Sequence, residues 1–199
     1  MSRRNYLQHG FTLIELMIVF VVVGVISTAA FTFFNTSINQ YLSLQKDSLL
    51  FGDLATQSHR ISNVLRGATD ITLANNNEVT VYAYFAPNDT YVSLLRYYKS
   101  GDGKTLYADL TPMTANPPVG TPITANKRTI TILSNFATVA GVNLFTYLDA
   151  SGATIPTPID DLHIIKGIRT TLAVPSGSKA GGNTTVSSQI SLRNRKTNL

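Results

Sequence analysis

The sequence predicts an α+β protein, one long N-terminal helix packed on an antiparallel β-sheet domain. Three observations carry that prediction. Residues 11–34 are an apolar run with a single charge, Glu15. No proline occurs before Pro87, and Gly24 and Gly52 are the only glycines between Gly10 and Gly67. From Ile71 onward the apolar residues alternate with period two instead of recurring at helical spacing, and the switch marks the passage from helix to strand.

Composition bounds the rest. Residues 35–199 are enough for one modest domain. The chain has no cysteine. Disulfides, thiolate metal sites and cysteine nucleophiles are therefore excluded. The formal net charge is +5, of which Arg3 and Arg4 supply two. Nucleic-acid binders of this size are usually more basic, with clustered Lys and Arg. The only such cluster is terminal, Arg193, Arg195 and Lys196.

The first element is a basic leader followed by a span. Arg3 and Arg4 precede the apolar run, and the next charges are Glu15 and then Lys46. Positive residues before a span hold that end in the cytoplasm, so the body is expected outside. At about 1.5 Å per residue the run reaches roughly 36 Å, against a hydrocarbon core of about 30 Å. A cleaved secretory signal has a shorter apolar region and a small-residue site after it; Ser27–Ala30 offers only a weak one. Neither that reading nor an ordinary anchor accounts for Glu15. A carboxylate deep in a bilayer costs roughly 2.5–3.5 kcal/mol, less near an interface. A freed α-amino group on Phe11 would offset that cost.

Gly10-Phe11-Thr12-Leu13-Ile14-Glu15-Leu16 resembles the processing site of the type IV pilin and type II secretion pseudopilin superfamily. The resemblance implies a pilin-like fold and a structural, non-enzymatic role. It implies that prepilin peptidase cleaves after Gly10 and N-methylates Phe11. It also implies that Glu15 pairs with a neighbouring subunit's N-terminal amine during assembly. The ten-residue leader is slightly longer than the commonest short ones. Two weaker likenesses, Arg60–Ala68 and Val186–Arg195, are similar to segments of PilW-like minor pilins and J-type minor pseudopilins. The expected organisation is a leader at 1–10, a transmembrane half-helix at 11–34, an amphipathic half at 35–67 and a β-rich body at 68–199. The expected location is a single-pass membrane precursor, and then a cell-surface or periplasmic filament.

The helix should run from about Thr12 to about Arg66, with Gly67 as its stop. Ile38, Leu42, Leu49, Leu50, Leu54, Ile61, Val64 and Leu65 lie near helical spacing, with polar residues between them. They are expected to pack on a sheet. About seven strands follow. Residues 78–85 place Val79, Val81, Ala83 and Phe85 on one face. Pro87-Asn88-Asp89 turns into a strand at 91–99, and Gly101-Asp102-Gly103 turns into one at 104–109. A proline-rich loop fills 111–126. Strands are expected at 128–133, 142–148, 162–174 and 184–193, with a loop at 151–158 and a Gly/Ser tip at 176–183.

Candidate chemistry is sparse. His9 falls in the leader, and His59 has Asn63 rather than a ligand four residues on. Asp160, Asp161 and His163 are the best metal candidates, because three potential ligands at that spacing could contact a cation, and the resemblance adds that some pseudopilins hold calcium. Paired aspartates at a strand start are ordinarily a solvated loop, so no metal or other cofactor is expected. Gly101–Lys104 lacks the phosphate-loop spacing, and no serine elbow is present. Tyr82, Tyr84, Tyr91, Tyr97, Tyr98 and Tyr107 read as cross-strand packing. The expected partners are prepilin peptidase, other pilin subunits through helix packing, and the membrane. Nucleic acid is an unsupported partner, since it needs basic residues converging with aromatics on one surface. The leading function is a minor type IV pilus subunit. The alternatives are a pseudopilin of a secretion or DNA-uptake system, and an adhesive or DNA-binding subunit at a filament tip.

Overall fold

The computed structural model describes residues 11–176 and 182–193. The leader with Gly10, the centre of the Gly/Ser tip and the basic tail beyond Arg193 lie outside the described residues. The chain divides into two compact units, Met1–Gln45 and Lys46–Leu199.

Helix α1 spans Leu13–Arg66 without interruption. Gly67 N–H donates to Asn63 O (3.3 Å) and Val64 O (3.1 Å), and Ala68 N–H donates to Leu65 O (3.1 Å). The last turn thus tightens and satisfies carbonyls that a helix end leaves open. Thr69 N–H then donates to Tyr82 O (2.8 Å), handing the chain to the sheet. Gly67 is not among the glycines with positive φ. The helix is stopped by this bonding and not by glycine's special conformational freedom.

The body contains nine strands and two sheets among the described residues. Strands β1 (Asp70–Asn75), β2 (Glu78–Ala83), β3 (Ser93–Lys99), β4 (Leu106–Pro112) and β5 (Arg128–Leu133) form an antiparallel meander in sequence order. Strands β6 (Phe145–Leu148), β7 (Thr154–Ile155), β8 (Gly167–Pro175) and β9 (Asn183–Ser191) form the second sheet, in the order β7-β6-β8-β9. The α+β prediction holds, with two antiparallel sheets in place of one.

Several boundaries are corrected. The long strand expected from Leu162 begins at Gly167, because Leu162–Ile164 form a 3₁₀ turn. The Asp161 carboxylate caps that turn by accepting from His163 N–H (2.9 Å). The strand expected from Val142 begins at Phe145, and the loop expected at 151–158 contains β7. A further strand, β1, precedes the first one expected.

One core joins the sheets to the helix. It includes Leu54, Ile61 and Leu65 of α1, Val79, Val81, Leu95 and Tyr97 of the first sheet, and Phe145, Tyr147, Ile168 and Leu172 of the second. Val79, Val81 and Ala83 are buried together, as their alternation predicts, and Phe85 packs on them from a half-buried position. The helical stripe is only partly as expected. The buried line is Leu54, Ser58, Ile61 and Leu65, with Leu50 packed against it. Ile38, Leu42 and Leu49 are exposed. At about 100° per residue, Leu49 points well away from Leu50 and Leu54. The apolar residues of the helix therefore form more than one stripe, and only one is used in the core.

The two sheets are tied at the turn between β1 and β2. Tyr147 Oη lies 2.9 Å from Asn75 O and 3.1 Å from Glu78 O. Phe145 N–H donates to Asn76 O (2.9 Å), and Thr157 Oγ1 donates to Asn76 Oδ1 (2.6 Å).

Candidate assembly segment

Thr12 fixes the start of the helix. Its carbonyl accepts from Leu16 N–H (3.2 Å), and its hydroxyl oxygen accepts from Glu15 N–H (3.3 Å). Thr12 is thus the N-cap and Glu15 the third helical residue. That is the spacing of a capping box. The pattern Thr-x-x-Glu before an apolar run is the signal in the sequence that points to this cap. In the first turn the Glu15 carboxylate also faces the positive end of the helix dipole. Glu15 is exposed and enters none of the ion pairs among the described residues.

Every residue from Phe11 to Thr36 is exposed. These include Phe11 (80%), Leu13 (78%), Phe20 (69%) and Phe31 (68%). Apolar surface on this scale cannot remain in water. The helix carries an apolar stretch long enough to cross a bilayer. Two of its hydroxyls bond within the helix: Thr28 donates to Gly24 O (2.8 Å) and Thr32 to Ala29 O (2.9 Å). Lipid favours such bonds, because no water is present to take them. The arrangement fits a membrane-anchored precursor.

Residues 6–31 match the family model of the prokaryotic N-terminal methylation motif. That motif marks a type IV pilin-like prepilin. The long apolar helix on antiparallel sheets is the pilin-like arrangement. The pilin-like family is structural and not enzymatic, and its motif implies processing by prepilin peptidase and assembly with other pilins. No curated protein matches the chain.

The other candidate residues have these places among the described residues. Asp161 caps its own turn, and no group of three His, Cys, Asp or Glu placed to hold a metal occurs among the described residues. His59 is exposed on the helix. Tyr97 is buried at 0% exposure, while Tyr98 and Tyr107 are directly opposed across β3 and β4 with rings 5.7 Å apart. Only Tyr84 and Tyr91 of the six tyrosines are exposed. A groove of about 710 Å³ is lined by Leu50, Asp53, Asp102, Lys104, Asn135 and Phe136 among others. Its Asp102 carboxylate accepts from Ser100 Oγ (2.5 Å) and Lys104 N–H (3.0 Å), which hold it below its ordinary range. That acid closes a turn.

The densest charge cluster lies across the first sheet and was not anticipated. Glu78, Arg96, Asp109 and Lys127 form a chain of alternating sign. Arg96 makes a forked pair with Glu78 (2.7 and 3.0 Å) and lies 3.9 Å from Asp109. Asp109 binds Lys127 Nζ (2.8 Å) and accepts from Thr129 Oγ1 (2.6 Å). Burial pushes the Asp109 carboxyl up, but Lys127, Thr129 and Arg96 together outweigh it and hold the group below its ordinary range. The pair Arg96 and Asp109 sits directly opposite across β3 and β4. Thirteen residues separate the two in sequence, so only the sheet register brings them together.

Proposed function

We propose that this chain is a minor structural subunit of a type IV pilus-like filament. Its precursor stands in the membrane with the N-terminus in the cytoplasm and the body outside. Prepilin peptidase removes Met1–Gly10 and methylates the new amine of Phe11. Subunits then leave the bilayer by bundling their N-terminal helices, exchanging lipid contacts for contacts with each other. Glu15 pairs with the amine of a neighbour and sets the register. A desolvated pair of this kind adds specificity more readily than net stability.

The observation that supports this reading is the fully exposed apolar stretch of the helix that begins with the Thr12–Glu15 cap inside the methylation motif. The test is the mass of the chain purified from a host with its prepilin peptidase. A chain starting at N-methylated Phe11 is expected, and one retaining Met1–Gly10 sinks the proposal. Glu15→Ala should leave the precursor membrane-inserted and cut its recovery in sheared filaments at least tenfold. Incorporation of that variant at the native level would remove the role assigned to Glu15.

A further inference from the structure

The four sheet edges among the described residues are β1, β5, β7 and β9. An edge strand is a template for pairing with another chain, and proteins blunt it with charges, proline, bulges or short length. Three of the four are blunted. β1 carries Asp70 and a register shift between Ile71 and Leu73. β5 starts at Arg128, and its pairing with β4 shifts between Leu106 and Tyr107. β7 is two residues long. β9 differs on every count. It runs nine residues, Asn-Thr-Thr-Val-Ser-Ser-Gln-Ile-Ser, with no charge and no proline. Its register with β8 is unbroken from Pro175↔Asn183 to Gly167↔Ser191.

The direction of its free backbone groups follows from the bonds at its two ends. Ser176 N–H donates to Gly182 O (2.9 Å), and Leu192 N–H donates to Lys166 O (2.8 Å). In an antiparallel ladder, bonded and non-bonded pairs alternate. Both ends give the same phase, so even-numbered residues bond toward β8. The N–H and C=O groups of Asn183, Thr185, Ser187, Gln189 and Ser191 therefore point outward. Beside this edge, Thr184, Val186 and Ser188 are half-buried. A strand added here would complete the cover of Val186 as well as the ladder.

The occupant is constrained by the helix. Asp47 holds Ser176, which is opposite Gly182, through Ser176 Oγ at 3.2 Å. Ser62 Oγ donates to Ser188 Oγ at 2.8 Å. From Asp47 to Ser62 the helix rises roughly 22 Å, and from Gly182 to Ser188 the strand rises roughly 20 Å. β9 therefore runs in the same direction as α1 beside it. Antiparallel pairing of β9 with β9 of a second copy would set the two copies' Asp47–Ser62 helix segments in opposite directions, against the common direction of subunits in the filament reading.

We propose that the β9 edge takes up an extended, uncharged segment of a different subunit, joined by main-chain hydrogen bonds. The inference rests on the filament reading above. It is tested with the full-length chain in a host that assembles the filament. Ser187→Pro removes one outward N–H and leaves every main-chain bond to β8 in place, giving up only the exposed contact of Ser187 Oγ with Thr171 Oγ1 (3.3 Å), at a position where proline is tolerated. The expected result is an unchanged melting temperature in micelles and a loss of at least tenfold in filament recovery. Thr185→Lys blunts the same edge by charge at a residue opposite Ala173 and should act alike, so the test stands even if the proline variant folds poorly. Native recovery of a folded edge variant overturns the proposal while leaving the filament reading intact. Absence of the unmodified chain from filaments overturns both. Because the chain has no cysteine, Ser187→Cys gives a clean check on the occupant, and a disulfide-linked homodimer would overturn the assignment to a different subunit.

Discussion

Replacing Asp109 by alanine removes the centre of the cross-strand charge cluster. The carboxylate is 5% exposed, against 48% for Lys127 and 42% for Arg96. The variant loses a charge-assisted bond at 2.8 Å and the acceptor for Thr129 at 2.6 Å. Bonds to charged groups contribute about 1.5–3 kcal/mol each, and orphaning a buried charge costs about 3–5 kcal/mol. Neither cation is orphaned here, because Lys127 can turn to water and Arg96 keeps its fork to Glu78. The loss should therefore be about 2–3 kcal/mol. For a chain of this size that is a fall of about 4–12 °C in melting temperature. The full-length chain in micelles can be followed by near-ultraviolet circular dichroism, since it has nine tyrosines and no tryptophan. The sign of the pH dependence is set by the lowered carboxyl. A depressed folded-state value stabilises above the unfolded value of about 3.9. That stability is lost as pH falls through the folded value. The gap between native and variant chains should stay constant from about pH 7 to 5 and close below about pH 4. A gap under about 0.5 kcal/mol at neutral pH, or one that persists in acid, would refute the reasoning.

Four other substitutions probe separate parts. Tyr147→Phe removes the hydroxyl that reaches Asn75 O and Glu78 O, and should cost about 1–2 kcal/mol in denaturant melts. In ultraviolet titration, Tyr97 and Tyr147 should resist ionisation until the chain unfolds, because burial pushes both hydroxyls up. Gly167→Ala would place a Cβ 2.9 Å from Ile190 O, so the β8–β9 ladder must shift at a cost of about 1–3 kcal/mol. Gly67→Ala meets nothing nearer than 3.6 Å and should leave the melt within about 0.5 kcal/mol. Thr12→Ala removes the helix cap, worth about 0.5–2 kcal/mol, and should speed amide exchange at residues 13–16 in micelles without moving the melt of the body.

The helix was legible almost to the residue because its causes are local: no proline, an apolar run, and a glycine after Arg66. Strands β2 and β5 were legible for the same reason, through alternation between turn residues. The division into two sheets was not. Whether Phe145–Leu148 extends the first sheet beside β5 or pairs with β7 and β8 is settled by packing across the core, and no local pattern records it. The helical stripe failed in an instructive way. Ile38, Leu42 and Leu49 keep good spacing among themselves, and so do Leu50, Leu54, Ile61 and Leu65. Spacing cannot say which of two stripes meets the sheet. Two buried serines, Ser58 and Ser62, lie on the side that does, where a search for apolar residues passes over them. At the candidate assembly segment, Glu15 stood out because a lone acid in an apolar run is costly. Thr12 was passed over because a threonine there costs nothing.

These placements separate folding from assembly within one chain. Glu78, Arg96, Asp109 and Lys127 are spent on each other, and the large buried side chains close a single core. Substitutions at Asp109 or Tyr147 should therefore change the melt and, while the chain stays folded, leave assembly alone. The exposed apolar residues from Phe11 to Phe34 bury nothing in the folded chain, so polar substitutions there should spare the body and impair membrane insertion or packing between subunits. The β9 edge belongs to the second class although it lies in the body, because its odd-numbered amides contribute nothing to the ladder with β8. A residue's class thus follows from where its bonds and buried surface already go. On that basis Ser187 and Glu15, far apart in sequence, should give the same phenotype, and Ser187 and its direct neighbour Val186 should not.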